Sequence, residues 1–185
     1  MKKTSNTSNK EFLDNFGIPN SVSPPTKYLT FGPWIYLVPQ FMPKDVLILG
    51  YAGGTVAGLI ELLYGNVPIT AVDIEPPGFL YKNVNFVQAN AQEYVKTCKH
   101  FDAVIVDLFP NDKRGECDFV ATEEFANDLS KIGNYIIVNM SQESDMSSYK
   151  NMELVGVNHP NGLTNRIYYF QTVKIPNLKI FQKNG

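Results

Sequence analysis

An apolar run that breaks at glycines and continues as a helical pattern leaves few folds open, and residues 45–63 read that way: DVLILGYAGGTVAGLIELL. Four apolar residues, 46–49, enter the corner Gly50-Tyr51-Ala52-Gly53-Gly54, and a helical pattern follows over 55–65. Glycines at a sharp strand-to-helix turn let backbone approach whatever lies beyond the strand end, so this corner is a place for a ligand.

The rest of the chain repeats the alternation. Strand-like runs fall at 46–50, 68–74, 84–89, 101–109, 134–140, 152–159 and 165–173, and the first five are apolar along nearly their whole length. Such runs suit a parallel sheet covered on both faces. Helical patterns lie between them at 55–65, 90–98 and 122–133, while 76–83 has room for only a short element and 141–151 for one or two turns. The pattern predicts a Rossmann-like, doubly wound α/β domain with about seven strands, mainly parallel. Only the turn PNGLT (160–164) separates the last two runs, so the sheet should end in an antiparallel hairpin.

The domain is placed at 45–174, between an N-terminal tail with an aromatic segment (1–44) and a C-terminal tail (175–185). Residues 1–10 read as a flexible tail and 11–25 as room for one helical turn before Pro24 and Pro25. The stretch 27–43 reads as short strands or loops packed on the larger body, with Tyr28, Trp34 and Tyr36 as core or as cover for a ligand.

At 185 residues the chain suits one domain. A net charge of −2 argues against broad attraction to nucleic acid or anionic membrane. The run WIYLVPQFM is broken by Pro39 and too short to span a bilayer. No apolar stretch follows the charged N-terminus as in a secretory signal, so a cytoplasmic protein is expected. Cys98, Cys117, His100 and His159 have no metal-ligand spacing, and no metal is expected.

A dinucleotide fingerprint needs G-x-G-x-x-G, but the second and third glycine positions here are Ala52 and Thr55, which disfavours NAD or flavin. Read as G-x-G-x-G, the frame is Gly50, Ala52 and Gly54, one methyl away from a match. Asp73 stands 19 residues beyond Gly54 at the end of the next run, where a carboxylate can accept from both hydroxyls of a ribose. A nucleoside ligand is the expectation.

The segments VLILGYAGGT, AVDIEP, VNFVQANAQEYV and FDAVIVDLF, in that order, resemble the class I S-adenosylmethionine-dependent methyltransferases, and most nearly their spermidine synthase-like branch. The motifs run over about 45–140, with the hairpin extending the likeness to about 173. The resemblance implies S-adenosylmethionine or its decarboxylated form as cofactor, bound by Gly50, Tyr51, Ala52, Gly53, Gly54, Asp73, Ile74, Asn90, Ala91 and Asp107. Asn90 takes the place of an adenine-contacting acid, and Asp107 that of an acid that helps deprotonate the attacking amine. Two departures bear on the substrate. Pro110 stands where aminopropyltransferases carry a second acid, and only 44 residues precede the domain start at 45, where that branch has a β-domain with a Tyr-Gln pair. Methyl and aminopropyl transfer to an amine or other nucleophile both stay open. The rival is a non-catalytic adenosyl-binding or interaction module; a nucleic-acid methyltransferase is weaker, lacking a D/N-P-P-Y signature. The branch commonly dimerises, and a homodimer using the N-terminal segment or the hairpin is expected.

Each residue also has a plainer reading. Gly50 and Gly54 could serve only a tight turn, and Tyr51 could pack rather than shape a pocket. Asp73 and Asn90 could be helix caps. Glu75 reads as solvated, Phe109 and Pro110 as wall or loop, and 111–118 as a lid or a surface loop. Tyr168 and Tyr169 should pack on the sheet or at an oligomer contact, and both histidines should lie at the surface. Asp107 ends a buried run, where an unpaired carboxylate is costly and so points to function.

Overall fold

In the computed structural model, residues 10–13, 19–23, 33–110, 115–141, 145–160, 165–176 and 178 are described. The apolar runs form β3 (Val46–Leu49), β4 (Ile69–Asp73), β5 (Val84–Gln88), β6 (Phe101–Val106), β7 (Gly133–Ser141), β8 (Glu153–Asn158) and β9 (Asn165–Gln171), which follow a separate antiparallel pair, β1 (Lys10–Leu13) and β2 (Pro19–Ser23). That pair corrects the helical turn over its described residues, where backbone pairing of 10–13 with 19–23 takes its place, and Pro19 starts a strand where it need not donate to a ladder; residues 1–9 of the expected tail and 14–18 lie outside the described residues. The aromatic stretch forms a 3-10 helix, Pro33–Leu37, rather than a strand, with Trp34 buried and Tyr36 half-buried. Tyr28 lies outside the described residues.

The seven-stranded sheet has the order β5-β4-β3-β6-β7-β9-β8. β5 through β7 pair in parallel, and β9 runs antiparallel between β7 and β8. The expected hairpin is therefore present, with its second strand inside the sheet and β8 at the edge. Strand order reverses between β3 and β6, and ligands of open parallel sheets bind beyond that point.

Alternate side chains of each central strand enter different cores. Val46 and Ile48 join Ile69, Ala71, Ala103, Ile105 and Ile137 beneath helix α1 (Thr55–Tyr64) and the Trp34 segment. Leu47 and Leu49 join Val104, Val106, Ile136 and Val138 against helix α3 (Glu123–Ile132). Both faces are dry, which is why the sequence reads as unbroken apolar runs. The helix expected at 90–98 is cut to α2 (Ala91–Tyr94), after which bonds of three-residue reach, Lys96 to Glu93 and Thr97 to Tyr94, tighten the chain. The β-branched Val95 and Thr97 are weak helix formers.

Candidate functional site

Continuing the register of β4, β3, β6 and β7 by one residue past their last apolar partners aligns Asp73, Gly50, Asp107 and Asn139. Each lies two residues beyond a member of the α1-side core: Ala71, Ile48, Ile105 and Ile137. Side chains alternate, so the polar row shares that face. The sheet thus changes from apolar to polar in one step at its carboxyl end.

At the corner, Gly50 has φ +92° and its N–H donates to the Val72 carbonyl at 2.9 Å. A side chain there would collide with the Asp107 backbone oxygen, so glycine is required twice over. Gly54, φ +81°, donates to the Tyr51 carbonyl at 2.8 Å and starts α1. A Cβ on it would lie 2.5 Å from the Tyr51 hydroxyl, because the Tyr51 ring folds under the turn and meets Phe86 edge-on at 6.1 Å. Tyr51 is thus buried packing, its hydroxyl pushed up to about 12 by that burial, and the Tyr81 backbone nearby does not close a well-formed hydrogen bond to it. Ala52 is exposed with φ +45°, so the methyl that replaces a glycine hydrogen sits in left-handed backbone. Gly53 is buried.

Asp73 braces this corner. Its Oδ2 accepts from the N–H groups of Tyr51 (2.8 Å) and Ala52 (3.1 Å), and its Oδ1 from that of Glu75 (3.2 Å). A carboxylate has about four acceptor sites, so among the described residues about one stays open. Beside it Ile74 is 66% exposed, an apolar side chain left in water at the sheet end. Asn90 caps α2, its side-chain oxygen accepting from Gln92 N–H at 2.8 Å, and Ala91 is buried behind it.

Asp107 follows β6, and its N–H donates to the Leu49 carbonyl at 2.8 Å. Its Oδ1 accepts from the Asn139 amide at 2.8 Å, and Asn139 in turn accepts from the Asn165 amide at 2.9 Å. The side chain is half-buried, and desolvation raises its carboxyl to about 6; the Asn139 bond opposes the rise and the charge of Asp73 adds to it. Sequence reading found Asp107 but missed Asn139 and Asn165. The available signal was an amide closing an apolar run, YIIVN, in a strand buried on both faces.

Of the lid reading at 111–118, residues 111–114 lie outside the described set; beyond them Cys117 N–H donates to the Leu108 carbonyl, and Glu116 accepts from Ser141 N–H at 2.9 Å. Phe109 and Pro110 are half-buried after β6. Tyr168 and Tyr169 pack internally, stacked on Phe170 and Tyr135. His100 and His159 are exposed. Among the described residues no cluster of His, Cys, Asp or Glu is suited to a metal, and no helix is long and apolar enough to cross a membrane. Clefts of about 400 and 510 Å³ open at the opposite end of the sheet, around Lys44, Asp45 and Pro68. There Asp45 is already paired with Lys99, so the chemistry is better sought at the polar row.

No family model and no curated protein matches the sequence. Solved structures do match. Human methyltransferase-like protein 13 in complex with SAH superposes with TM-score 0.63 at 17% identity, over 80% of this chain and 81% of that one. A spermidine synthase in complex with the transition-state analogue AdoDATO gives 0.56 at 20% identity, and the spermidine synthase of Thermotoga maritima gives 0.52 at 20%. Both cover 84% of this chain, which spans 64% and 62% of theirs. The strand order, the glycine corner and these superpositions together establish that the chain has the class I methyltransferase fold, with spermidine synthases among its structural relatives.

Proposed function

We propose that the chain binds S-adenosylmethionine, or its decarboxylated form, and transfers an alkyl group from it to an amine or other nucleophile. The observation that carries this reading is the pair of carboxylates, Asp73 and Asp107, flanking Gly50 at the switch point, where the charge of Asp73 raises the cost of ionising Asp107. A cationic ligand between them would relieve that cost. The remaining surroundings fit the group: one open acceptor on Asp73 for a ribose hydroxyl, the exposed Ile74 for an adenine face, and Asn90 at its edge.

When bound, the sulfonium supplies an alkyl carbon whose leaving group is a neutral thioether. The chain's share is to hold donor and acceptor in line and to take a proton. With its carboxyl raised to about 6, Asp107 is mostly ionised at pH 7, yet more basic than an ordinary aspartate. It would orient the nucleophile and accept the proton released as the new bond to carbon forms. Activity should fall as pH drops through about 6.

Thermal shift with S-adenosylmethionine, S-adenosylhomocysteine and 5′-methylthioadenosine tests the reading. Saturation at 100 times the dissociation constant adds about 2.7 kcal/mol. The shift should be lost in Asp73→Asn; no shift with any adenosyl ligand would sink the proposal. One observation favours the non-catalytic alternative: the Asp73 acceptors are largely spent on the corner itself. A shift without turnover on an amine panel would select it. The homodimer belongs to the same proposal, and light scattering tests it; with Tyr168 and Tyr169 packed internally, the edge strand β8 and its exposed Leu154 are the part of the hairpin left to offer.

A further inference from the structure

Three side chains on three strands form a directed chain at the sheet end: Asn165 on β9, Asn139 on β7, and Asp107 after β6. Chemistry fixes its direction. An ionised carboxylate only accepts, so Asn139 must turn its NH₂ toward Asp107 and its carbonyl oxygen away. That oxygen then needs a donor, because Asn139 is 3% exposed. Asn165 supplies it. Asn165 reaches Asn139 diagonally, since the residue paired with Asn139 in register is Ile167.

We infer that Asn139, held in one amide orientation by Asn165, is a positioning residue that fixes Asp107 Oδ1 and leaves Oδ2 for the reacting nucleophile; this rests on the transferase reading above. Among the described residues Oδ2 has no hydrogen-bond partner. The arrangement is also tied to the proton. Once Asp107 is protonated it can donate, and the requirement that Asn139 present its NH₂ is lifted. Of the charged groups around it, Asp73 acts on Asp107 from β4. β3 contributes only the backbone of Leu49 and Gly50. At the end of β7, Glu116 is bound to the Ser141 N–H, and Arg166 alternates to the face opposite Asn165.

The test needs no ligand, so it separates failure of this inference from failure of the proposed function. The Asp107 carboxyl carbon is followed by NMR titration in the full chain as wild type, Asn139→Ala, Asn165→Ala and Asn165→Asp. Loss of a hydrogen bond to a charged group should raise the midpoint in Asn139→Ala by about one pH unit. Asn165→Ala should raise it less, in the same direction. Asn165→Asp should raise it more than Asn165→Ala, because a carboxylate at 165 draws the Asn139 NH₂ to itself and turns the amide oxygen on Asp107. A merely structural role would lower thermal stability and leave the midpoint where it is. Midpoints within roughly 0.3 unit of wild type (about a third of the shift expected for the whole hydrogen bond) in the Asn165 variants would overturn the inference, even if Asn139→Ala failed to fold.

Discussion

The two ends of the sheet treat carboxylates in opposite ways. At the amino end, Asp45 accepts from Lys99 at 2.6 Å and from Asp102 N–H at 2.9 Å, and Asp102 accepts from Lys44 N–H and the Asn134 amide. Lys99 thus neutralises Asp45, which holds the Asp102 backbone in turn. At the carboxyl end, Asp73 raises the cost of ionising Asp107, neither forms an ion pair among the described residues, and only neutral donors reach them. Bracing the corner accounts for Asp73, but folding alone gives no reason to place Asp107 beside it without a cation. Clefts open at the first end, but the unspent charge is at the second.

The largest effect should come from the residue between the two acids. Gly50→Ala places a methyl against the Asp107 backbone and forces alanine to φ +92°, and should cost about 3 kcal/mol or more in urea unfolding. Gly65→Ala has φ +74° and ψ −140° with open space around it, and should cost less, about 1–2 kcal/mol, from backbone strain without a collision. Equal losses would mean that the close approach at the corner is unimportant.

Next comes Asp107→Asn. Its folded-state carboxyl titrates at about 6, above an unfolded value of about 3.9. The sign follows: the native state binds the proton more tightly, so the stability it contributes is complete below about pH 4 and lost as pH rises through about 6. Removing the charge should therefore stabilise the unliganded protein at pH 7 by on the order of 2 kcal/mol and flatten the slope between pH 4 and 6. Chemical denaturation at several pH values reads both. A variant less stable than wild type at pH 7 would show that the acid is satisfied as it stands, and the contrast between the two ends would weaken.

What could be read from the sequence follows the same division. Parallel strands buried on both faces leave unbroken apolar runs, so β3, β4 and β7 were placed within a residue at either end, and β6 at its start, its end overrun by three residues. Gly50 and Asp73 were visible because a tight corner and a strand-end acid depend on local chain order. Asn139 and Asn165 were not, since their meaning lies in a diagonal contact across an antiparallel pair whose neighbours, β7 and β9, are separated by β8 in sequence. The β1–β2 pair was missed for a related reason: four or five residues of mixed polarity carry no period, and only the partner strand makes them a strand. Asp73 was legible as an acid at the right place, but not as the brace that spends most of its acceptors on the corner.

A smaller effect separates strain from contact at the corner. Ala52 holds φ +45° with its methyl in solvent, so Ala52→Gly should remove a conformational cost without removing packing. The expected gain is about 1 kcal/mol, offset in part by the freedom glycine adds to the unfolded chain. A loss of stability would show that the methyl rests on something that orders the mouth of the site.

The smallest effect should be at the amino end. Lys99 is 64% exposed on its side chain and pairs with Asp45, which keeps a second bond to the Asp102 N–H if the lysine is removed. Lys99→Ala should cost less than about 1 kcal/mol, and the cost should shrink further at 1 M salt, because exposed ion pairs contribute little and are screened. Its stacking over Phe101 at 4.8 Å adds a term that salt does not remove, and Lys99→Met, which keeps an apolar stem, isolates the charge. If Lys99→Met matched or exceeded the change in Asp107→Asn, the amino end would hold the energetically exposed charge. If it stays near zero while Asp107→Asn stabilises, the uncompensated acids lie where the strand order reverses.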